Sequence, residues 1–340
     1  MIDSATGAEI RETDNLLISA MLIPDPDNIR LAMLGMVDGN GHPYSWTAII
    51  NGKYDAGAMA ECGYPVIPQY LGKAPPEQLG IPGGRVTHVW CDDPADAAAV
   101  AKATCLENIL ERPEDAIGLV DAVIIPTDRG WEHVERVRPF IEAGLPVFID
   151  KPMCDNEDDL KQFVAWHAEG KPLMSSSAMR HGKEFRQAFA EAKERCGQMR
   201  LVTMTTPKSW ERYGIHALEA VYPDLRVGGW LSVTHSGDTD ANIMHCRHAD
   251  GVEVVLAAIA DMYGGFGKLT ICGTQGTVTA EFQDTFYAFR TQLVEFIEYL
   301  RTGREPFPFD QTVELMKIII AGLRSREEGG RTVLQKEIGA

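Results

Sequence analysis

The sequence predicts an α/β protein in which a doubly wound parallel sheet comes first and a strand-rich α+β domain follows. Three observations lead there. Between Asp121 and Asn156 two short apolar runs, DAVIIPT and PVFID, flank a segment whose residues Val134, Val137, Phe140 and Ile141 recur at helical spacing. A strand, an amphipathic helix and a strand joined over that length suit two parallel neighbours of one sheet, not a hairpin. Upstream, the apolar run IRLAMLGMV leads into a glycine-rich turn and then a helical segment. Beyond Gly228 the pattern changes to successive strand-like runs, closed by two long amphipathic helices.

Length and charge bound what such a chain can be. With 340 residues, 45% of them hydrophobic, it is too long for one small core and fits two globular domains. The divisions fall at an N-terminal arm over 1–28, a first domain over 29–172 with an insertion at 51–84, and a second domain over 173–340. A net charge of -17 without any block of Lys and Arg excludes nucleic acid and anionic membrane as partners. Seven scattered cysteines without a Cys-x-x-Cys pair fit a reducing compartment, and no stretch is long and apolar enough to span a bilayer. A cytoplasmic protein is expected.

Taken in order, residues 1–28 end in the turn Pro24-Asp25-Pro26-Asp27 and form either an ordered arm or a frayed leader. The first strand is expected over Ile29 to Val37. The turn after it holds Gly35 and Asp38-Gly39-Asn40-Gly41-His42, before a helix carrying Trp46, Ala48, Ile49 and Ile50. A helix start behind a glycine-rich turn offers free amides and a positive dipole end, the place for a dinucleotide's pyrophosphate, although the same residues also make a good turn with no ligand. The Gly-, Pro- and Tyr-rich segment 51–84 reads as a long irregular insertion, a lid or an oligomer contact. The second strand, RVTHVWCDDP, starts at Arg85. Asp92 or Asp93 at its end is placed to take ribose hydroxyls and to repel a 2′-phosphate, which favours NAD, while Asp92-Asp93-Pro94 equally starts a helix.

The run PVFID delivers Asp150-Lys151-Pro152 at a strand's carboxyl end, where open parallel sheets bind ligands. The helix DDLKQFVAWHAEG completes the first domain, and Ser175 to Ser177 with Arg180 open the second, Arg180 being either a substrate anchor or half of an ion pair. In SWERYGIHALEAVYPD, the residues Arg212, His216 and Glu219 share one helix face. Ala249-Asp250-Gly251 reads as a hairpin turn. His245, Cys246 and His248 alternate across a strand and lack a fourth ligand, so no metal site is expected.

Asp150-Lys151-Pro152, the strand ending in Pro126-Thr127, His133 at the helix start and the Ala-Gly-x-Pro-Val turn together resemble the Gfo/Idh/MocA oxidoreductases, the family of glucose-fructose oxidoreductase and inositol dehydrogenase, whose tripeptide here is Glu-Lys-Pro. The resemblance runs over about 29–337, with a break at 51–84, and includes the Gly273-Thr274-Gln275-Gly276 turn and the closing helix pair. It implies a Rossmann-type N-terminal domain, and a C-terminal α+β domain whose large open, mostly antiparallel sheet serves substrate binding and assembly into a homodimer or homotetramer. It implies NAD, with NADP possible, held by Gly35, Asp38, Gly39, Gly41, His42, Asp92, Asp93, Thr127, Asp150, Lys151 and Pro152. The catalytic pair would be Lys151 and His216, with Arg180, Trp210, Arg212 and Glu219 facing a polyhydroxylated substrate.

Three positions depart from the family pattern. Gly-x-Gly-x-x-Gly is absent, so the turn is longer or differently shaped, and Asp38 brings negative charge towards a phosphate. Cys91 stands at the usual acidic position. Arg212 replaces the first residue of Asp-x-x-x-His, so either the imidazole is oriented by another group or the substrate carries a negative one. The leading expectation is hydride transfer between a nicotinamide and a secondary alcohol of a sugar, cyclitol or sugar acid, His216 taking the proton and Lys151 stabilising the oxygen. Two alternatives are a redox-neutral lyase, epimerase or glycosidase that oxidises its substrate transiently, and a non-catalytic sugar or nucleotide sensor. Retention of both Lys151 and His216 argues against the sensor.

Overall fold

The computed structural model describes residues 21–339. Strands β1 (Ile29–Leu34), β2 (Gly84–Trp90), β3 (Asn108–Ile109), β4 (Ala122–Ile125), β5 (Val147–Asp150) and β6 (Leu173–Ser176) pair in parallel in the order β3-β2-β1-β4-β5-β6, the expected doubly wound sheet. Every residue of β4 and β5 is buried, which is why AVII and VFI carry no polar alternation. Helices α1 (His42–Asn51), α2 (Ala56–Ala60), α3 (Val66–Lys73) and α4 (Pro94–Thr104) share one hydrophobic core on one face of this sheet. On the other face lie α5 (His133–Glu142) and α6 (Glu157–Ala168), with Val134, Val137, Phe140 and Ile141 of α5 buried as its spacing predicts.

The second domain begins with α7 (Lys183–Arg195) and builds on β7 (Met199–Pro207), α8 (Ile215–Val221), β8 (Trp230–Gly237), β9 (Ala241–His248), β10 (Glu253–Ile259), β11 (Lys268–Gly273) and β12 (Thr277–Glu281). Helices α9 (Thr285–Thr302) and α10 (Phe309–Glu327) follow, and β13 (Val333–Leu334) closes the sheet edge. Its seven strands run β12-β11-β7-β10-β9-β8-β13, antiparallel except for β7 against β10. The turn at Ala249-Asp250-Gly251 joins β9 to β10 as a hairpin. Among the described residues no helix is long and apolar enough to cross a membrane.

Three details differ from the sequence reading. Leu173–Ser176, expected to open the second domain, pairs with β5 as the last strand of the first sheet. The insertion is about half helical: Asp55 caps α2 by accepting the Ala58 N–H at 2.8 Å, and Met59, Ile67 and Leu71 are buried against the first domain. Helix α9, which belongs to the C-terminal part of the chain, packs back on α1 with Leu293, Phe296, Ile297 and Leu300 in the first domain's core. Residues 1–20 of the expected arm lie outside the described residues. Its last part is ordered, with Ile23 buried and the Leu22 N–H donating to the Leu300 carbonyl at 3.1 Å.

Candidate active site

The site forms where the carboxyl ends of β1, β4 and β5 meet the segment that leads into α8. Lys151, one residue past β5, is buried, and its Nζ lies 3.5 Å from Asp128 Oδ2 and 3.9 Å from Asp150 Oδ2. The Lys151–Pro152 peptide is cis. Asp150 Oδ2 also meets His42 Nδ1 at 2.9 Å and accepts from Asn40 Nδ2 at 3.2 Å, so the glycine-rich turn is fastened to the tripeptide. The Asn40 amide donates as well to the Pro126 carbonyl at 2.9 Å, and its Oδ1 accepts the His42 N–H at 3.0 Å. The His42 ring stacks on Trp46 at 4.3 Å. Asp150 Oδ1, by contrast, is buried without a partner.

The second domain closes over this from above. A π-helical turn, Trp210–Gly214, precedes α8 and carries Arg212 and Tyr213. Arg212 donates to Asp128 Oδ1 from Nη2 at 2.6 Å and from Nε at 3.2 Å, and reaches the Asp38 carbonyl at 3.1 Å. Two ammonium groups reach the Tyr213 ring, Lys151 Nζ at 4.8 Å and Lys208 Nζ at 4.2 Å from its centroid, and its hydroxyl accepts from Lys208 at 2.7 Å. His216, on α8, stands edge-on to the same ring at 4.8 Å. Lys151 and His216, 65 positions apart in the chain numbering, therefore converge on one aromatic surface.

His216 is held from behind. Its Nδ1 lies 2.7 Å from Ser177 Oγ, which also accepts the Met179 N–H at 3.1 Å. A hydroxyl can accept from a protonated Nδ1 or donate to a bare one, so the ring stays anchored in either tautomer. Ser177 is in turn fixed by its own N–H, which donates to Glu219 Oε1 at 3.0 Å, and Glu219 Oε2 accepts from Arg180 at 3.3 Å. Arg180 also bonds Gln311 and lies over the Phe307 ring at 3.8 Å.

Charge is divided sharply across this network. Burial opposes the Lys151 charge, but Asp150, Asp128 and the Tyr213 phenol outweigh it and hold the ammonium above its ordinary pKa. Burial would also raise Asp128, yet Lys151 and Arg212 together bring that carboxyl down to about 2. His216 goes the other way: burial, then Lys151, His42 and Lys208, push it well below the usual imidazole range, so it is neutral at pH 7. Burial raises the Glu219 carboxyl in spite of Arg180.

Of the residues expected in the site, Lys151, Asp150, His42, Arg212 and His216 are brought together, and Thr127 adjoins them with its methyl 3.0 Å from where a Gly35 Cβ would stand. Gly35 has a φ of 112°, which together with that contact requires glycine. Gly41 is needed for close approach, since a Cβ would come 2.7 Å from both Tyr64 and Ile67 of the insertion. Asp38 and Gly39 are exposed at the mouth. Asp92 accepts the Met36 N–H at 3.2 Å and pairs with Arg136 at 2.8 Å. Asp93 instead caps α4 through the Ala95 N–H at 2.8 Å. Trp210 is fully buried, with its indole N–H on the Ile319 carbonyl at 3.0 Å, and is a core residue, not a substrate contact. Arg180 and Glu219 form a buried ion pair beneath Ser177. Among the described residues there is no group of three His, Cys, Asp or Glu that could hold a metal ion.

Asp128, Asn40, Ser177, Tyr213 and Lys208 were not expected. Asp128 had a signal, since it directly follows Thr127 at the carboxyl end of a parallel strand. Tyr213 had another, three residues before His216 on the same helical face.

The family model described as an oxidoreductase family with an NAD-binding Rossmann fold, Gfo/Idh/MocA, matches residues 59–176. That match takes in most of the insertion and the first domain beyond it, about a third of the chain. Inositol 2-dehydrogenase from Rhodococcus erythropolis is 37% identical over 103 residues, 29% of this chain and 30% of that enzyme, so the match spans under a third of the curated relative's length. Over 92% of the chain the fold is shared with solved structures. Scyllo-inositol dehydrogenase from Lactobacillus casei superposes with a TM-score of 0.69 at 14% identity, covering 92% of this chain and all of that one. An oxidoreductase from Agrobacterium radiobacter in complex with NAD+, L-tartaric acid and magnesium gives 0.67 at 14% identity over the same shares. Against the family's tripeptide, the shorter Asp150 is compensated by Asn40 and His42, which come forward from the turn to meet it. Arg212, at the position of the family's aspartate, finds its counter-charge in Asp128.

Proposed function

We propose that this protein is an NAD-dependent oxidoreductase that transfers a hydride between the nicotinamide and a secondary alcohol of a polyhydroxylated substrate, a cyclitol, sugar or sugar acid. One observation carries the proposal: a buried, charged Lys151 and a buried, neutral His216 face the same Tyr213 ring at the carboxyl edge of β5. The residues present fit the cofactor. Asp150 Oδ1, buried and without a partner, suits a ribose hydroxyl. Gly35 leaves room where any side chain would meet Thr127. A cavity of about 240 Å³ walled by Leu34, Trp90, Ile125 and Phe140 lies at the same edge of the sheet and suits a flat base. A larger one of about 640 Å³, between Asn51, Arg85 and Cys105, lies at the opposite, amino edge and has no part in this chemistry.

The nicotinamide, when bound, supplies hydride acceptance and donation. The chain's own residues handle the proton. Lys151, kept as an ammonium by Asp150 and Asp128, donates a hydrogen bond to the substrate oxygen and favours its deprotonation. His216 takes the proton at Nε2 while Nδ1–H donates to Ser177 Oγ, and in the reverse direction Nε2–H returns it. Tyr213 and Phe266 pack edge-on around the imidazole and exclude water.

The test uses purified protein with NAD+ and a panel of myo-inositol, scyllo-inositol, glucose, gluconate and glucuronate, followed at the nicotinamide absorbance band, with NADH and NADPH titrated by fluorescence. NADH binding and reduction of NAD+ by at least one of these are expected. Lys151→Met should abolish turnover and leave NADH affinity within about threefold, since Lys151 acts on the substrate oxygen. Near-normal turnover in that variant would overturn the assignment, and substrate loss without an absorbance change would point to the redox-neutral chemistry.

A further inference from the structure

We infer that Lys208, a residue of the second domain, is the cation that binds the dinucleotide's pyrophosphate, so that the anion site is built across the domain boundary and not by the glycine-rich turn alone. The inference rests on the NAD reading above and adds the residue that makes it work in this chain.

Among the described residues, the turn carries no unpaired cation for a doubly charged group, and only its Val37, Asp38, Gly39 and Gly41 N–H groups are without a partner. The Met36 N–H is bound to Asp92, the Asn40 N–H to the Val37 carbonyl, and the His42 N–H to the Asn40 side chain. Pro43, in the first turn of α1, has no N–H to offer. Asp38 adds an exposed carboxylate beside the place where the phosphates would lie.

Lys208 answers this deficit. It follows β7 directly and adopts φ 62°, a left-handed conformation that a residue with a Cβ holds only at a cost of about 1–2 kcal/mol. That backbone sends its ammonium across the cleft to 3.2 Å from the Gly39 carbonyl, and it lies 3.5 Å from where a Gly39 Cβ would stand. Its two hydrogen-bond partners, Gly39 O and the Tyr213 hydroxyl, are neutral, and among the described residues it forms no ion pair. Arg212, the other cation reaching the turn, is already neutralised by Asp128. A second, independent feature points to the same ligand: on the inner side of the turn the buried Asp150 Oδ1 lacks a donor. A ligand offering a hydroxyl inward and an anion outward, as a ribose joined to a pyrophosphate does, satisfies both.

The experiment compares wild type with Lys208→Met, Lys208→Arg and Lys208→Gly, using NADH, ADP-ribose and adenosine as probes in equilibrium titrations at low and high salt. Loss of one charge-assisted hydrogen bond should weaken NADH and ADP-ribose by roughly tenfold to a hundredfold in the Met and Gly variants. Arg should retain most of the affinity, adenosine should bind all four proteins alike, and the salt dependence for ADP-ribose should be shallower without the ammonium. Melting temperatures of all four proteins, recorded alongside, separate lost binding from lost folding. ADP-ribose binding unchanged in Lys208→Met would overturn the inference. So would a rise confined to the KM of a carboxylate substrate, which would assign the ammonium to the substrate. Failure of wild type to bind NADH at all would instead remove the NAD reading itself.

Discussion

Replacing Asp128 by Asn tests the electrostatic core of the site. Asp128 is about 1% exposed and holds Lys151 at 3.5 Å and Arg212 at 2.6 Å. Two separate consequences follow from removing its charge. At neutral pH, breaking a buried pair costs about 3–5 kcal/mol because the partners keep their charges. Arg212 is about a quarter exposed and Lys151 retains Asp150 at 3.9 Å, so the low end, about 3 kcal/mol, is expected here. The second consequence is in the pH dependence. The folded Asp128 carboxyl lies at about 2, below its ordinary 3.8, so it contributes stability that is fully present above pH 5 and is lost as pH falls through the folded value. That contribution amounts to roughly 2–3 kcal/mol. Urea unfolding of wild type and Asp128→Asn between pH 6 and pH 2.5 measures both, with the variant less stable at pH 6 and its deficit shrinking on acidification. A variant within about 1 kcal/mol of wild type at pH 6, or a deficit that does not narrow at low pH, would refute the assignment of Asp128 as the shared counter-ion. The double variant with Arg212→Met should recover part of the loss, since the stranded guanidinium is then gone.

Two further changes probe the supports. Ser177→Ala removes the hydroxyl 2.7 Å from His216 Nδ1 and should lower kcat by about 10-fold to 100-fold without altering NADH affinity, whereas Ser177→Thr, which keeps the hydroxyl, should restore much of it; equal kcat in Ser177→Ala and wild type would show that His216 is oriented by other means. Gly41→Ala places a methyl 2.7 Å from Tyr64 and Ile67 and should cost about 1–3 kcal/mol in thermal unfolding, an unchanged melting temperature meaning that the insertion does not press on the turn.

The parts of the fold that were legible are those written in local patterns. The largely apolar strands β1, β4 and β5, the spacing of α5 and the lysine at a strand end all follow from period and position. What escaped was set by distant partners. Asp128 reads as an ordinary turn residue until Arg212 arrives from 84 positions away, and Arg212 reads as a substrate contact until Asp128 takes it. Helix α3 was hidden because Pro68 and Gly72 depress its propensity; Pro68 falls in the first turn, where no N–H is required, and Ile67 and Leu71 gain enough from burial to fold it. Trp210 misled for a related reason. The family resemblance set it facing the substrate, but only the fold shows its ring turned inward against Gly214 and Gly322. The change to a serine-rich run at Ser175 suggested a domain boundary, whereas Leu173–Ser176 is held in the first sheet by β5.

The division of charge in the site is a single physical effect seen from two sides. Lys151 keeps its proton because two carboxylates face it, and that same retained charge is the second largest reason, after burial, that His216 stays neutral. An acid and a base with separated pKa values are thus produced by one ammonium between Asp128 and Asp150 on one side and the Tyr213 ring on the other. The arrangement requires both domains, since Lys151, Asp128 and Asp150 lie at the carboxyl ends of first-sheet strands and Tyr213, His216 and Arg212 in the segment beyond β7. Their alignment is secured by packing: Met153 and Cys154 share one continuous hydrophobic cluster with Met316 and Ile319 of α10 and Trp210 of the π-helical turn. A hinge opening wide enough to separate Lys151 from His216 would expose that cluster to water, at a cost that grows with every apolar side chain uncovered. The exposed Asp38–Gly39 tip of the turn is tied to the second domain by two hydrogen bonds, from Arg212 to the Asp38 carbonyl and from Lys208 to the Gly39 carbonyl.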